Sequence, residues 1–149
     1  MAEYQEAINL NPSYAPAHVM LGAVYTYRGE PEKALSLCEQ GIRLSPSDPR
    51  LFIWLPLLAG AHYQMRHYTE AVEIGRRSWS LNRNWPHGLR YAVAGLGQLG
   101  RLDDARAALD ELRAFDANLD AAEAGYMRTY QVRDAIDHIL DGLRKAGFE

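Results

Sequence analysis

The sequence predicts an all-α protein built as a solenoid of helix-turn-helix units and closed by a C-terminal capping helix. Three observations predict it. A self-similar register runs from residue 1 to about 117, small residues recur where paired helices must touch, and the tail changes to one amphipathic stripe.

The register aligns LGAVYTYRGEPEKA (Leu21 to Ala34) with LAGAHYQMRHYTEA (Leu58 to Ala71) and AVAGLGQLGRLDDA (Ala92 to Ala105) without a gap, in steps of 37 and 34 residues. Leu10, Leu44, Leu81 and Phe115 keep the same register, as do Tyr4, Cys38, Gly75 and Leu109, and Ala7, Gly41, Ser78 and Leu112. By this register residues 1–12 are the second helix of a unit that lacks its first, so the apolar face of that helix is expected to seek either another chain or more of a longer protein.

Residues 13–46 form the first full unit. Val19, Leu21, Gly22 and Tyr25 fall on helical spacing, Gly29-Glu30-Pro31 interrupts, and Ala34, Leu37, Cys38, Gly41 and Ile42 resume it. Pro31 suits the first turn of a second helix, where its missing N–H matters least, and Pro46 ends the pair. Gly22, Ala59 and Val93 in first helices, and Ala34, Ala71 and Ala105 in second helices, mark the close approaches; a bulky residue there would overpack the contact by about 1–3 kcal/mol.

Residues 47–83 carry three additional residues near SPSDPRLF. Asp48-Pro49 reads as an N-cap followed by proline at the first helical position, so the next helix is expected to gain about one turn. Pro56 falls inside that helix, where it removes a backbone bond and crowds the carbonyl of Phe52, at about 3 kcal/mol unless relieved. A kink is expected there, either fitted to the superhelix or shaping a ligand groove. The third full unit spans 84–117. In 118–149 a short helical pattern from Asn118 to Tyr130 precedes the stripe Val132, Ala135, Ile136, Ile139, Leu140 and Leu143, finished by Arg144, Lys145 and Gly147 as a helix C-terminus should be. A helix of that kind suits a cap on the end of a solenoid.

These units resemble the tetratricopeptide repeat family. The matching residues are Leu21, Gly22, Tyr25, Gly29, Ala34 and Pro46; then Leu58, Ala59, Ala71 and Leu81; then Ala92, Leu96, Gly100 and Ala105. The departures are His18 and Leu89 in place of tryptophan, Cys38 and Gly75 in place of a large aromatic, and Arg66 in place of the turn glycine. The resemblance implies a right-handed superhelix whose concave face, lined by first helices, takes a protein or peptide. On this chain that groove would comprise Val19, Ala23, Thr26, Tyr27, Ile53, Gly60, Tyr63, Gln64, His87, Arg90, Ala94 and Gln98. Members that clamp a terminal carboxylate use an asparagine where Ala23, Gly60 and Ala94 stand, so that activity is not expected. The segment LNRNWPHGLRYAVAGLGQLGRLDDARAALDEL and the ending DGLRKAGFE also look like the C-terminal repeat regions of bacterial signalling proteins with a class III adenylate cyclase or winged-helix domain upstream. That implies a regulatory or recruiting role, with catalysis outside these residues.

Composition narrows the alternatives. A net charge of −3 and a pI near 5.9 give no reason to expect a nucleic-acid partner. The apolar run LFIWLPLLAGA is about half of what a membrane span needs, and the polar, acidic start is not expected to act as a signal peptide. The lone Cys38 permits no internal disulfide and fits a reducing cytoplasm.

Chemistry-bearing patterns are sparse. His62 and His67, five apart, are expected to diverge on a helix, and His18, His87 and His138 stand alone, so no metal, cofactor or catalytic set is expected. GLGQLG (Gly95 to Gly100) ends a helix instead of following a strand and cannot cradle a pyrophosphate. Asp103-Asp104 and Asp110-Glu111 read as helix caps and solvated faces, and Trp54, Trp79 and Trp85 as core or inter-repeat packing. The expected function is a non-catalytic protein-interaction module, with homo-oligomerisation through the N-terminal helix as the alternative. A small enzyme or ligand site around Tyr63, His87 and Arg90 is the remote one.

Overall fold

A computed structural model describes residues 1–119 and 129–148, and every regular element among them is a helix. The elements are α1 (Ala2–Leu10), α2 (Ala15–Tyr27), α3 (Pro31–Leu44), α4 (Leu51–Gln64), α5 (Tyr68–Leu81), α6 (His87–Gln98), α7 (Leu102–Phe115) and α8 (Arg133–Ala146). The short pattern expected over Asn118 to Tyr130 falls mostly outside the described residues.

Each first helix pairs with the second helix that follows it: α2 with α3, α4 with α5, α6 with α7. The small-residue positions explain how. A Cβ on Gly22 would meet Cys38 Sγ at 2.6 Å and the Ala34 carbonyl at 3.2 Å, so α2 and α3 approach nearly backbone to backbone. Ala34, Ala59, Ala71, Val93 and Ala105 are fully buried at the equivalent contacts. Cys38 is part of this packing, and burial pushes its thiol up to about 12, which keeps it protonated and unreactive.

The intra-unit turns share one geometry. Gly29, Arg66 and Gly100 have φ of 73°, 62° and 70°, and the N–H of the next residue donates to the carbonyl five residues before it in each case: Glu30 to Tyr25, His67 to His62, Arg101 to Leu96. This is the Schellman arrangement, and Arg66 adopts it without being glycine. Because α4 stops at Gln64, His67 lies beyond the turn and folds back. Its Nδ1 sits 3.3 Å from that of His62, so the two rings meet where divergence along one helix was expected.

The loops between units repeat as well. Asn11, Asn82 and Asp116 follow their second helices and accept, through Oδ1, the backbone N–H two residues on. In the unit with three additional residues the same turn is displaced to Asp48, which accepts from the Arg50 N–H at 2.8 Å, while an extra turn from Ser45 to Asp48 absorbs the insertion. Asp48 therefore caps no helix, and α4 begins at Leu51 at nearly the length of its counterparts; the expected extra turn of helix is a longer loop instead. The side chain of Asp48 also pairs with the Arg50 guanidinium, which binds the loop to itself.

Pro56 lies within α4, which continues through it. The carbonyl freed at Phe52 accepts a 2.8 Å hydrogen bond from the Ser78 hydroxyl of α5. Ser78 is fully buried, so the proline's missing donor is supplied by the neighbouring helix.

The helices α2, α4 and α6 touch one another in sequence, whereas the second helices do not approach each other to the same degree. The first-helix side is therefore the inside of the curve. On the outside, Glu111 of α7 ties successive units by accepting from Trp79 Nε1 at 3.0 Å and Arg76 Nη1 at 2.6 Å of α5, a structural duty beyond that of a solvated face. The helix α8 lies on the last pair, and unevenly so. It packs mainly on α6, within the curve, burying Ala135, Ile139, Gly142, Leu143 and Ala146. Gly147 at φ 106° ends it in a further Schellman turn, as its basic last turn foreshadowed.

Candidate functional site

The inner face is nearly free of formal charge. Across α2, α4 and α6 the only Asp, Glu, Lys or Arg is Arg90; the other charged residues with described positions sit on the second helices, on α8 or in the turns and loops. Two regions of this face differ in whether they are filled.

The distal region is occupied by the chain's own C-terminal segment. Gln131 donates its backbone N–H to the Tyr27 carbonyl at 2.8 Å, and Val132 lies against Gly29, so the segment crosses from the first full unit towards the third. Tyr130 stands edge-on to Tyr27 with ring centroids 5.3 Å apart and hydrogen-bonds through its hydroxyl to that of Tyr91. Farther on, His138 stacks on Tyr63 at 4.5 Å, its carbonyl accepts the Tyr63 hydroxyl at 2.7 Å, and its Nε2 meets the Tyr68 hydroxyl at 2.8 Å. Gln98 bridges this contact, donating to Tyr63 Oη at 3.1 Å and Asp141 at 3.0 Å and accepting from Lys145 at 2.9 Å.

These contacts cover much of the expected groove. Tyr63 is fully buried under α8, and Ala94 lies beneath Gly142. Gly60 is covered by Tyr91, whose hydroxyl would stand 2.8 Å from a Cβ there. Val19 is turned towards Gly41 of α3, and Thr26 is fully buried with its hydroxyl donated to the Gly22 carbonyl at 3.1 Å. Gln64 spends its amide on the Thr26 carbonyl at 2.9 Å, joining α4 to α2. Arg90 is buried and donates to His87 Nδ1 at 3.2 Å.

The proximal region is open. A cavity of about 310 Å³ is lined by Met20, Ala23 and Tyr27 of α2, Ile53, Pro56 and Leu57 of α4, Trp85 and His87 at the start of the third unit, and Thr129. Four of the expected groove residues, Ala23, Tyr27, Ile53 and His87, meet there. Met20, Pro56, Leu57, Trp85 and Thr129 were missed, although Met20 lies three residues before Ala23, and Pro56 and Leu57 three and four after Ile53, on the same helical faces. Trp85 is thus a cavity wall, packed at 4.5 Å on His87, while Trp54 and Trp79 are buried in the core.

His87 is neutral at ordinary pH. Burial, and next the adjacent Arg90 guanidinium, hold its imidazole down to about 4. The hydrogen bond agrees, since arginine only donates and Nδ1 must accept. His18, which is buried where His87 is half-buried, donates Nε2–H to the Pro12 carbonyl at 2.8 Å and anchors the loop before α2. Tyr63, His87 and Arg90 do not converge: His87 faces the cavity, whereas Tyr63 is sealed beneath α8, which leaves no shared space for a reacting atom. Among the described residues no three histidines, cysteines or carboxylates come together as metal ligands, and no helix is long and apolar enough to cross a membrane.

Residues 15–48 match the family model described as tetratricopeptide repeat. No curated protein matches the sequence significantly. Among solved structures the chain is similar to that titled "Crystal structure of MamA", with a TM-score of 0.72 at 17% identity, covering 96% of this chain and 82% of that one. The tetratricopeptide repeat family is thus supported by one matched unit, and the all-α helical-repeat fold by a likeness spanning nearly the whole chain.

Proposed function

We propose that the chain is a non-catalytic protein-interaction module that takes a partner in the open, proximal part of its inner face. The observation that carries this reading is the cavity between Tyr27, Ile53, Leu57 and His87: a concave apolar site built by three successive units, left open while the rest of the face is filled. The family's usual role as a scaffold agrees with it. The sequence likeness of Leu81 to Leu112 to repeat regions of cyclase-type bacterial signalling proteins further suggests a cytoplasmic regulatory segment. The test is a photo-crosslinking residue placed at Leu57, and in a second protein at Glu73 on a second helix, with the joined segments sequenced. Partners joined at Leu57 but not at Glu73 support the reading, and partners joined only at Glu73 refute it.

One observation favours self-association as a second reading. The helix α1 has no buried residue, and Leu10 is 79% exposed. A chain that remains monomeric at millimolar concentration by light scattering rules that reading out.

A further inference from the structure

We propose that the open cavity takes an aromatic side chain carried on a short, uncharged stretch of a partner protein. The inference rests on the interaction reading above and specifies its ligand.

Among the described residues the charge distribution disfavours ionic anchors. The three helices that build the inner face carry one formal charge, on Arg90, which is buried and committed to His87. None of the described residues lining the cavity is an Asp, Glu, Lys or Arg. A carboxylate or ammonium entering it would give up hydration against these neutral, mostly apolar side chains, so an ionic side chain is disfavoured.

The adjoining stretch shows what this face accepts. Its filled part receives rings: Tyr130 enters between Tyr27 and Tyr91, and His138 lies on Tyr63 beside Tyr68. Tyr27 belongs to both regions, holding Tyr130 edge-on while it forms a wall of the cavity. The row of rings therefore continues into the open space, where Trp85 and His87 form the far wall. A ring placed there meets the offset and edge-on neighbours that aromatic side chains prefer, an advantage a branched aliphatic side chain lacks. The partner stretch is short because α8 and the segment before it already cover the inner face beyond Tyr27.

Blocked amino-acid amides probe this directly. N-acetyl-phenylalaninamide, N-acetyl-leucinamide, N-acetyl-lysinamide and N-acetyl-aspartamide are titrated into the ¹⁵N-labelled protein, reading the Trp85 indole N–H and the amides of Ala23 and Leu57. The phenylalanine amide is expected to shift these signals saturably and to bind several-fold to about tenfold more tightly than the others, the range set by aromatic pairing. Met20→Glu, at a partly exposed position of the rim, should weaken that binding while leaving the helical circular dichroism unchanged. Charged or leucine amides that bind as well as the phenylalanine amide overturn the inference, as does the absence of any shift at these three sites. A partner joined at Leu57 through a segment without an aromatic residue also overturns it, yet leaves the interaction reading standing; absence of any joined partner at Leu57 removes that reading itself.

Discussion

Ser78 and Pro56 are separated by more than twenty residues, yet they form one device. The hydroxyl donates to the carbonyl that the proline leaves unpaired, so Ser78→Ala should cost about 1–3 kcal/mol in urea denaturation, the range for a buried acceptor left unsatisfied. In a Pro56→Ala background residue 56 regains an N–H for Phe52, and the same Ser78→Ala change should then cost at least about 0.5 kcal/mol less. Equal costs in both backgrounds would show that the two residues act independently. Arg66 makes a second residue-scale case. Its left-handed backbone costs an L-residue about 1–2 kcal/mol, which glycine's greater unfolded freedom offsets only in part, so Arg66→Gly should raise the stability by up to about 1 kcal/mol. The register alone marked Arg66 as out of place in a turn. It gave no hint that Ser78 would answer Pro56, because that bond depends on how α5 lies against α4.

At the scale of elements, the paired helices were legible because their contact residues repeat in register; the path of α8 was not. Its stripe of Ala135, Ile139 and Leu143 announces a buried face but not the surface that buries it. What directs it to α6 is Gly97, which stands where Tyr63 and Thr26 stand in the other units and lets the backbone of α8 come close. A Cβ on Gly97 would press on the backbone of Gly142 and lie 3.0 Å from the Ala146 nitrogen, and backbone cannot yield as a side chain does. Gly97→Ala gains about 1 kcal/mol of helix propensity but overpacks the contact by about 1–3 kcal/mol, for a net loss. The loss should appear in hydrogen exchange as faster exchange across residues 133–146 than across α2 and α3. Uniform acceleration over all helices would instead indicate a global loss of stability.

For the molecule as a whole, acid is the expected weakness. His87, His62 and His138 all have imidazoles held below the usual range, mainly by burial, and next by Arg90, His67 and Arg66 respectively. An unfolded chain takes up these protons near pH 6.5 while the folded one resists, so stability is full above about 6.5 and falls as the pH drops towards 4. The urea midpoint should fall over that window, and less steeply in His87→Gln, whose carbonyl can still accept from Arg90. An identical slope in the two proteins would remove His87 from the account. Period, turn positions and the all-α architecture were readable in the chain because they arise from contacts between neighbouring segments, which leave a repeating trace. The extent of the open inner face was decided only by the fold. Residues 129–146 lie down across α2, α4 and α6, sealing Tyr63 and Ala94 while leaving Ala23, Tyr27, Ile53 and His87 around a cavity. That placement rests on contacts between distant, non-repeating segments, and such contacts leave no period in a sequence.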